Sequence, residues 1–549
     1  MPHSSTSLPA RHQRGPLWPP LAIAILAGLA LLPLAVIFSS FSSPQGDIWA
    51  HFGEFVLPRL FLNTLWLLLG VGIGTAVLGI SLAWLTAACE FPGRRWLTWV
   101  LLLPLAVPGY VLGFVMIGLL DYTGPLQSGL RDLFGSAPQI PIRSRGGVIA
   151  VMALTLYPYV YLVTRNAFLT QGKRALEAAQ TLGLNRWQGF FHVALPMARP
   201  WIAGGIALVL METLADFGTV AVFNYDTFTT AIYRAWYGMF NLEAASQLAS
   251  LLVVLVFLAL LLEQRSRKGQ RYSGSSRGDR SERIVLGPIA RWLAFAWCML
   301  VFSTAIAIPL TQLLIWAWQS QSDFDLRYFG FLYHSLILAC SGALVVVSLG
   351  LILTYALRRR PGRFPAFAGR VAILGYAIPG TVLAVGFYLP MAWFDTQWID
   401  LGNVFGAQWR PLLGGTLAVM LLAYAVRFLA VGYHPVEAAR HRITANMDEA
   451  ARSLGSNSRD IVLRVHLPLL RGGIATAAVL VFVDIMKEMP ITLMTRPFGW
   501  DTLAIRIFEM TSEGEWQRAA LPAITLVIAG LIPVVLLMRS SESELTHAT

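Results

Sequence analysis

Charged residues are scarce in this 549-residue sequence. Only 13% of the residues are Asp, Glu, Lys or Arg, whereas 56% are hydrophobic, and the mean hydropathy is +0.62. A chain of this length with so little charge does not have the polar surface that a soluble particle needs. The composition therefore excludes an ordinary soluble protein and predicts a polytopic membrane protein.

Cysteine and nucleotide-binding motifs are lacking as well. The three cysteines, Cys89, Cys298 and Cys340, lie in or beside apolar runs without metal-ligand spacing, which argues against a disulfide framework and against a zinc site. No Gly-x4-Gly-Lys-Ser/Thr sequence occurs, so we expect no phosphate-binding loop of that class. We therefore expect no resident metal and no cofactor bound to this chain itself.

Twelve apolar stretches are long enough to cross a bilayer, which takes about 20 helical residues. They lie at 20–42, 60–88, 97–120, 147–168, 200–222, 247–263, 290–317, 331–357, 368–394, 412–432, 473–496 and 519–538. Because lipid offers the backbone no hydrogen-bond partner, we expect these stretches to be helices. The predicted fold class is an all-α polytopic membrane protein with about 12 transmembrane helices.

Arginine and lysine cluster on alternate loops between these stretches. The clusters are Arg11 and Arg14, Arg94 and Arg95, Lys173 and Arg174, residues 265–283, residues 358–360, and Arg440 with Arg442. Short cytoplasmic loops carry the positive excess in membrane proteins, so we predict that these loops and both termini are cytoplasmic. Topology thus explains the net charge of +12, and we expect the lipid bilayer rather than nucleic acid as the partner.

One 20-residue pattern occurs twice, and each position of the second copy lies 272 residues after its counterpart in the first. The first copy consists of Glu177, Ala178, Ala179, Gly183, Val193, Leu195 and Pro196, and the second of Glu449, Ala450, Ala451, Gly455, Val465, Leu467 and Pro468. A polar, glycine-rich stretch between them cannot bury enough apolar surface to fold. We therefore predict a first half at 1–264, a cytoplasmic linker at 265–289 and a second half at 290–549. Six spans in each half make the two repeats parallel.

Each copy of the pattern predicts a short helix–turn–helix outside the membrane, at about 170–196 and 440–468. Gly183 and Gly455 suit a left-handed cap at the end of the first helix. An asparagine two residues later, Asn185 or Asn457, can cap the second helix, and we expect the following proline to end it. The alanines leave a smooth face that fits a partner's groove.

The repeated pattern resembles the signature loop of permease subunits of bacterial ABC importers, and the resemblance covers nearly the whole chain. In that family the loop forms a coupling helix that docks on an ATP-hydrolysing subunit. The resemblance therefore implies two separate ABC ATPase subunits at the cytoplasmic face, which hold the ATP and the magnesium. It implies a periplasmic substrate-binding protein on the other face, where loops near 43–58, 121–146, 223–246 and 497–518 are available, and it implies the bacterial inner membrane. The residues to which it assigns the coupling role are Glu177, Ala178, Ala179, Gly183, Glu449, Ala450, Ala451 and Gly455.

Five further segments resemble the fused permeases of ferric-iron importers. They lie at 107–113, 156–161, 211–220, 227–234 and 487–490. This resemblance implies ferric iron as the substrate. Related fused permeases carry thiamine, and split ones carry polyamines or phosphonates, so those substrates stay open. An alternative from another class is a proton-coupled secondary transporter, in which buried carboxylates relay protons.

Four carboxylates lie within predicted spans at matched positions. Glu212 and Asp216 are four residues apart and share one helix face, and Asp484 and Glu488 repeat them 272 residues later. Such charges are costly in a membrane and usually functional, and their oxygens suit a hard trivalent cation. One hypothesis is that they line the substrate pathway. In the other hypothesis they join helices by pairing with nearby basic residues: Lys487, Arg165 or Arg427.

Two Pro-Gly pairs, Pro108-Gly109 and Pro379-Gly380, lie inside predicted spans and are 271 residues apart. Proline removes a helix hydrogen bond and glycine permits unusual torsions, so each pair predicts a break or kink within the membrane. Broken helices often lie beside translocation sites. We therefore include all four residues among the candidates for the substrate pathway, although a kink that only improves packing is an open alternative.

Overall fold

The computed structural model describes residues 17–42, 46–135, 141–170, 183, 185–267, 283–321 and 325–546. These residues are helical almost throughout, which confirms the predicted all-α class. The helices of the first half are Trp18–Ser39, Gly46–His51, Leu57–Ala88, Arg94–Val100, Gly109–Leu120, Pro125–Phe134, Arg145–Thr170, Arg186–Gly189, Leu195–Ala215, Gly218–Val222, Phe228–Tyr233 and Leu242–Arg267.

The second half follows the same order of elements. Its helices are Pro288–Phe302, Ile308–Gln319, Arg327–Arg359, Arg363–Ala372, Gly380–Val404, Ala418–Arg440, Ala445–Ser453, Ser458–Asp460, Leu467–Met486, Pro490–Thr495, Leu503–Ser512 and Trp516–Thr546. Short 3-10 helices lie at Ser40–Ser42, Leu103–Ala106 and Ile373–Ala377, and π-helical turns lie at Phe52–Val56, Phe190–Ala194, Arg234–Gly238, Ser303–Ala307 and Ile461–His466.

Each of the twelve predicted spans contains a helix. Within the described ranges, 10 helices are long and apolar enough to cross a membrane, or 11 if the bent pair Arg363–Ala377 and Gly380–Val404 is one span. The last predicted span, 519–538, lies in the helix Trp516–Thr546, of which the part Trp516–Leu531 is apolar. The predicted span at 97–120 is divided into three helical pieces, Arg94–Val100, Leu103–Ala106 and Gly109–Leu120.

The first helix of each half packs against the other half. Ile23 and Leu26 of the helix Trp18–Ser39 share a buried cluster with Leu353 and Ala372 of the second half. The contact is close, since a Cβ on Gly386 would lie 2.5 Å from the Cβ of Pro33.

The first helix of the second half likewise packs against the first half. Cys298 and Val301 of the helix Pro288–Phe302 are buried among Leu82 and Tyr157 of the first half. The two halves are thus interlocked rather than placed side by side, and the largest buried cluster contains residues of both.

A two-stranded parallel sheet contains the last part of the predicted linker, 265–289. The strand β1, Cys89–Glu90, pairs with β2, Ile284–Val285, and Arg283 lies 3.4 Å from the Glu90 carboxylate. The flanking helices run to Arg267 and start at Pro288. The end of the linker is therefore attached to the first half, just before the helix Pro288–Phe302 begins.

Four membrane helices contain a π turn directly before a Leu-Pro or Ile-Pro pair. Two of these π turns precede the Leu-Pro pairs that close the repeated pattern. At these pairs the sequence predicts that Pro196 and Pro468 end the helices. That prediction is wrong, because both helices continue into the membrane. Proline lacks an N–H and its ring clashes with an earlier carbonyl in a regular α-helix. In the π turn the Leu195 N–H donates to the carbonyl of Phe190, five residues earlier, and this wider spacing admits the ring.

Candidate transport pathway and coupling segments

Both Pro-Gly pairs break a helix, as the sequence predicts. Pro108 is extended with a ψ of 139°, and a new helix begins at Gly109. Pro379 has a ψ of 144°, and a new helix begins at Gly380. In the second half the two helical parts meet at an angle of 110°. The backbone is thus interrupted at matching points of the two halves.

Asp216 ends the long helix of the first half and caps the short helix Gly218–Val222. Its Oδ1 accepts a hydrogen bond from Thr219 Oγ1 at 2.9 Å, and its Oδ2 accepts one from the Val220 N–H at 3.1 Å. The hydroxyl of Thr219 approaches the first break closely, since a Cβ on Gly109 would lie only 2.6 Å from it. The acid and the break of the first half therefore adjoin each other.

Glu488 has the corresponding place in the second half, where it caps the helix Pro490–Thr495. Its Oε1 accepts a hydrogen bond from the Ile491 N–H at 2.9 Å, and its Oε2 accepts one from the Thr492 N–H at 3.1 Å. A Cβ on Gly380 would lie 3.0 Å from Glu488 Oε1. The second half thus repeats the arrangement of acid, cap and break.

The other two acids, Glu212 and Asp484, lie one helical turn earlier and have different partners. Glu212 Oε1 accepts a hydrogen bond from the hydroxyl of Tyr376, which belongs to the second half, at 3.2 Å. Asp484 forms an ion pair with Lys487 at 3.0 Å. Of the basic partners considered from the sequence, Lys487 thus pairs with Asp484, while Arg427 donates to a backbone carbonyl at 2.7 Å.

A cavity of about 180 Å³ lies between the two halves, and we call it the central cavity. The polar side chains that line it are Tyr110, Thr155, Tyr159, Glu212, Asp216, Thr219, Tyr376, Arg427, Asp484, Lys487 and Glu488. Pro108 and Gly109 also line it, and Gly380 adjoins Glu488. Four carboxylates therefore share the cavity with two cationic side chains, which leaves an excess of negative charge.

The central cavity also includes residues that sequence reasoning missed. Tyr159 and Tyr376 place their rings in the lining, and only the position of Tyr376 three residues before a Pro-Gly pair could have drawn attention to it. Within the described ranges, no group of three or more His, Cys, Asp or Glu side chains is arranged to hold a metal ion. The carboxylates thus face one space without forming a closed ligand set.

The second copy of the repeated pattern forms the predicted helix–turn–helix. The helix Ala445–Ser453 carries its Glu-Ala-Ala motif and buries none of its residues. Gly455, in the turn that follows this helix, has a left-handed φ of +83°, as predicted. Asn457 Oδ1 then accepts hydrogen bonds from two backbone N–H groups of the next helix, at 3.0 and 2.9 Å. Leu454, beside the turn, is 85% exposed, so an apolar side chain stands at the tip of the segment.

The first copy is described in its second part only, since Glu177, Ala178 and Ala179 lie outside the described residues. Gly183 has the same φ of +83° as its counterpart. Asn185 caps the following helix reciprocally. Its Oδ1 accepts from the Gln188 N–H at 2.8 Å, and its own N–H donates to the Gln188 side chain at 3.0 Å. The two copies therefore share their turn geometry.

Comparison with known proteins assigns the chain to a family. A family model described as binding-protein-dependent transport system inner membrane component matches residues 75–266 and, a second time, residues 346–545. Each match includes one copy of the repeated pattern, one Pro-Gly break and two of the cavity acids.

Several relatives align over much of the chain. The Fe(3+)-transport system permease protein FbpB 2 of Haemophilus influenzae is 28% identical over 96% of this chain and 99% of its own length. The ferric transport system permease protein FbpB of Actinobacillus pleuropneumoniae is 23% identical over 87% of this chain and 70% of its own length. The sulfate transport system permease protein CysT of Escherichia coli is 28% identical over 45% of this chain and 90% of its own length. The chain belongs to the family of binding-protein-dependent transport system inner membrane components, and it is a fused permease that contains the family's domain twice.

Proposed function

We propose that this permease carries ferric iron across the inner membrane in an ATP-driven importer. The observation that carries the proposal is the excess of carboxylates in the central cavity, where four acids face Lys487 and Arg427. Carboxylate and phenol oxygens are hard ligands, which a trivalent cation prefers. The two relatives that align over most of the chain are named for ferric transport, which supports the same substrate.

The charge of the central cavity also argues against an anionic substrate. A dianion such as sulfate would be repelled by an excess of two carboxylates in a site of low dielectric. Thiamine and polyamines are cations, so the charge alone does not separate them from iron. Membership of a binding-protein-dependent family favours the importer over the proton-coupled carrier.

We call the two copies of the repeated pattern, at about 170–196 and 440–468, the first and the second coupling segment. They are the docking sites for two ABC ATPase subunits in this proposal. Ala450 and Ala451 give the second segment a small-residue face, and Leu454 is free to enter an apolar groove of the partner. The sequence correspondence extends the role to Glu177, Ala178, Ala179 and Gly183. ATP and magnesium then bind to the partner subunits, and a periplasmic binding protein delivers iron at the opposite face.

The orientation of the chain is part of the proposal, with both termini and the linker at 265–289 in the cytoplasm. It rests on the positive loops. A reporter enzyme that is active only in the periplasm should be silent when fused at Ser275 and active at Gly135 or Gly514. These are two turn glycines that the predicted topology places on the other face. Activity at Ser275 would contradict the parallel halves, 1–264 and 290–549.

Transport proceeds by alternating access in this proposal. Closure of the ATPase subunits moves the two coupling segments, and the interlocked halves rock so that the central cavity opens first to the periplasm and then to the cytoplasm. The Pro-Gly breaks at Gly109 and Gly380 are the points where the backbone beside the acids can change direction. Glu212 then contacts the cation. Asp484 pairs with Lys487, and Asp216 and Glu488 keep the short helices in place.

The substrate is tested in host cells that lack this gene. Uptake of labelled ferric iron, thiamine, putrescine and sulfate is measured in the deletion strain and after complementation with the wild-type gene. We expect only iron uptake to be lost and restored. Normal iron uptake in the deletion strain under iron starvation, together with loss of one of the other substrates, would replace iron by that substrate.

A further inference from the structure

A partly buried polar cluster joins the second coupling segment to the membrane helices of its half. Arg358 Nη2, at the end of the helix Arg327–Arg359, donates to Asp448 Oδ2 at 2.6 Å. His466 Nε2 lies 2.7 Å from the other oxygen of the same carboxylate, and His466 Nδ1 lies 3.1 Å from the hydroxyl of Tyr355. Only 4% of His466 is exposed.

The cluster connects three elements that are distant in sequence. Asp448 belongs to the helix Ala445–Ser453, directly before the Glu-Ala-Ala motif. His466 lies in the π turn that leads into the helix Leu467–Met486, which carries Asp484 toward the central cavity. Both oxygens of a single carboxylate are therefore engaged between the exposed segment and two helices of the membrane domain.

The corresponding positions of the first half are apolar. The residues 271 or 272 positions earlier are Trp84, Ala87, Leu176 and Ala194, of which Leu176 lies outside the described residues. Trp84 packs against Phe190 with ring centroids 4.6 Å apart, and Ala194 is 1% exposed. The same crossing of helices is thus filled by aromatic packing in the first half and by a charged network in the second.

The two kinds of contact differ in how they transmit a displacement. Packed apolar surfaces can slide at modest cost because dispersion forces have little directionality. Charge-assisted hydrogen bonds weaken steeply when their distance and angle change, and a carboxylate separated from its partners at this depth loses solvation as well. The second coupling segment is therefore held to its membrane helices at one fixed position.

We propose that Arg358, Asp448 and His466 act as a strut that carries the movement of the second coupling segment to the membrane helices. We call these three residues the polar strut, and Tyr355 orients its histidine. The inference rests on the proposed coupling role of the segment. It assigns to these three side chains a positioning role, with no direct contact with iron or with the ATPase subunit.

The test is a double-mutant cycle in the complete importer, reconstituted in vesicles, with Asp448→Asn, Arg358→Gln and the double variant. Capture of the ATPase subunit, ATP hydrolysis and iron uptake are measured together. We expect normal capture and hydrolysis, and about tenfold fewer iron ions transported per ATP in each single variant, as loss of one charge-assisted hydrogen bond implies. The double variant should be no worse than either single variant, because both remove the same contact.

A matched control removes an arginine-paired carboxylate outside the strut. Glu90→Gln deletes the partner of Arg94, which lies 3.2 Å away beside the first half's loop, and iron transported per ATP should stay unchanged. A second variant replaces the strut and Tyr355 by the first half's residues, Tyr355→Trp, Arg358→Ala, Asp448→Leu and His466→Ala. We expect it to capture the ATPase and to hydrolyse ATP, with the same poor ratio of iron to ATP.

A wild-type ratio of iron transported to ATP hydrolysed in this fourfold variant would overturn the proposed role of the strut. Additive losses of that ratio in the double-mutant cycle would overturn it as well. Loss of ATPase capture in Asp448→Asn would overturn it too, because Asp448 would then be a docking residue.

Failure of the underlying coupling role would be seen in a different variant. Ala451→Trp should prevent ATPase capture by filling the small-residue face, and normal capture in that variant would refute the coupling role whatever the strut variants do.

Discussion

The two halves share a backbone plan around the central cavity but differ in charge. Both have a Pro-Gly break and a carboxylate that caps the next short helix. Lys487 and Arg427 occupy the second half at positions where the first half has Ala215 and Thr155. Asp484 is therefore neutralised within its own half, whereas Glu212 reaches across to Tyr376. The shape of the central cavity depends on features common to both repeats, and its charge depends on features of one.

The coupling segments show the same division. Gly183 and Gly455 have identical φ values of +83°, so the turn that presents each segment is common to both. The anchoring of the segments differs, with aromatic packing around Trp84 in one half and the polar strut in the other. A duplicated domain has thus kept the local geometry and diverged in the contacts that hold it.

The largest effect is expected at the shared turns. Gly183→Val and Gly455→Val place a β-branched side chain in the left-handed region, at a cost of about 1–3 kcal/mol that the segment can avoid by refolding its turn. Iron uptake should fall steeply in both, while the protein stays in the membrane. Gly472→Val, in a helix with open space around the glycine, is the control. We expect Gly455→Val to be the more severe, because it also displaces the strut.

Uptake at wild-type level in both glycine variants would remove the coupling role from these turns. Equal partial losses in the two would show that the strut does not make the second segment more sensitive.

The next effect separates the matched acids Glu212 and Asp484. Asp484→Asn leaves Lys487 without its partner and should lower the free energy of unfolding by about 1–3 kcal/mol. Glu212→Gln keeps an acceptor for Tyr376 and should leave stability nearly unchanged, while it lowers iron uptake about tenfold by removing an unneutralised charge from the pathway. Thermal unfolding in detergent and iron uptake in cells measure the two quantities. Equal destabilisation by both variants would contradict the different roles.

A smaller effect is expected at the glycines of the two breaks. Gly109→Ala puts a methyl group 2.6 Å from Thr219 Oγ1 and should rotate that hydroxyl away from Asp216, whereas Gly380→Ala meets Glu488 at 3.0 Å, where a slight shift suffices. We expect Gly109→Ala to lower stability by about 1 kcal/mol more than Gly380→Ala, as for one lost hydrogen bond. Gly109→Ala should add nothing to Thr219→Ala, and full additivity would disprove the proposed cause.

The smallest effect concerns the contact between Tyr376 and Glu212 across the cavity. Tyr376→Phe removes one hydrogen bond between the halves, worth about 1 kcal/mol or a factor of about five in an equilibrium. ATP hydrolysis by the complex without binding protein should rise by up to that factor, because the resting arrangement of the halves is weakened. Tyr333→Phe, at a tyrosine that is 61% exposed, is the control. Unchanged hydrolysis in Tyr376→Phe would mean that this bond does not hold the halves.

Several features of this protein are determined by the sequence alone because their causes are local. Long apolar runs become helices since lipid leaves the backbone no other partner. The breaks at Pro108 and Pro379 follow from a missing N–H, and the left-handed turns at Gly183 and Gly455 follow from a missing side chain. The duplication can also be recognised in the sequence, and it predicts two halves with matched acids.

Only the tertiary structure decided how these parts meet. The exchange of the first helices places Ile23 against Leu353, a contact between residues that no local pattern relates. The pairing of Lys487 with Asp484 and the reach of Tyr376 to Glu212 depend on the packing of whole helices, as does the polar strut. The prediction that Pro196 and Pro468 end their helices is wrong for a related reason. Whether a proline ends a helix depends on whether packing on the rest of the bundle stabilises a π turn before it, and that energy comes from residues far away in the chain.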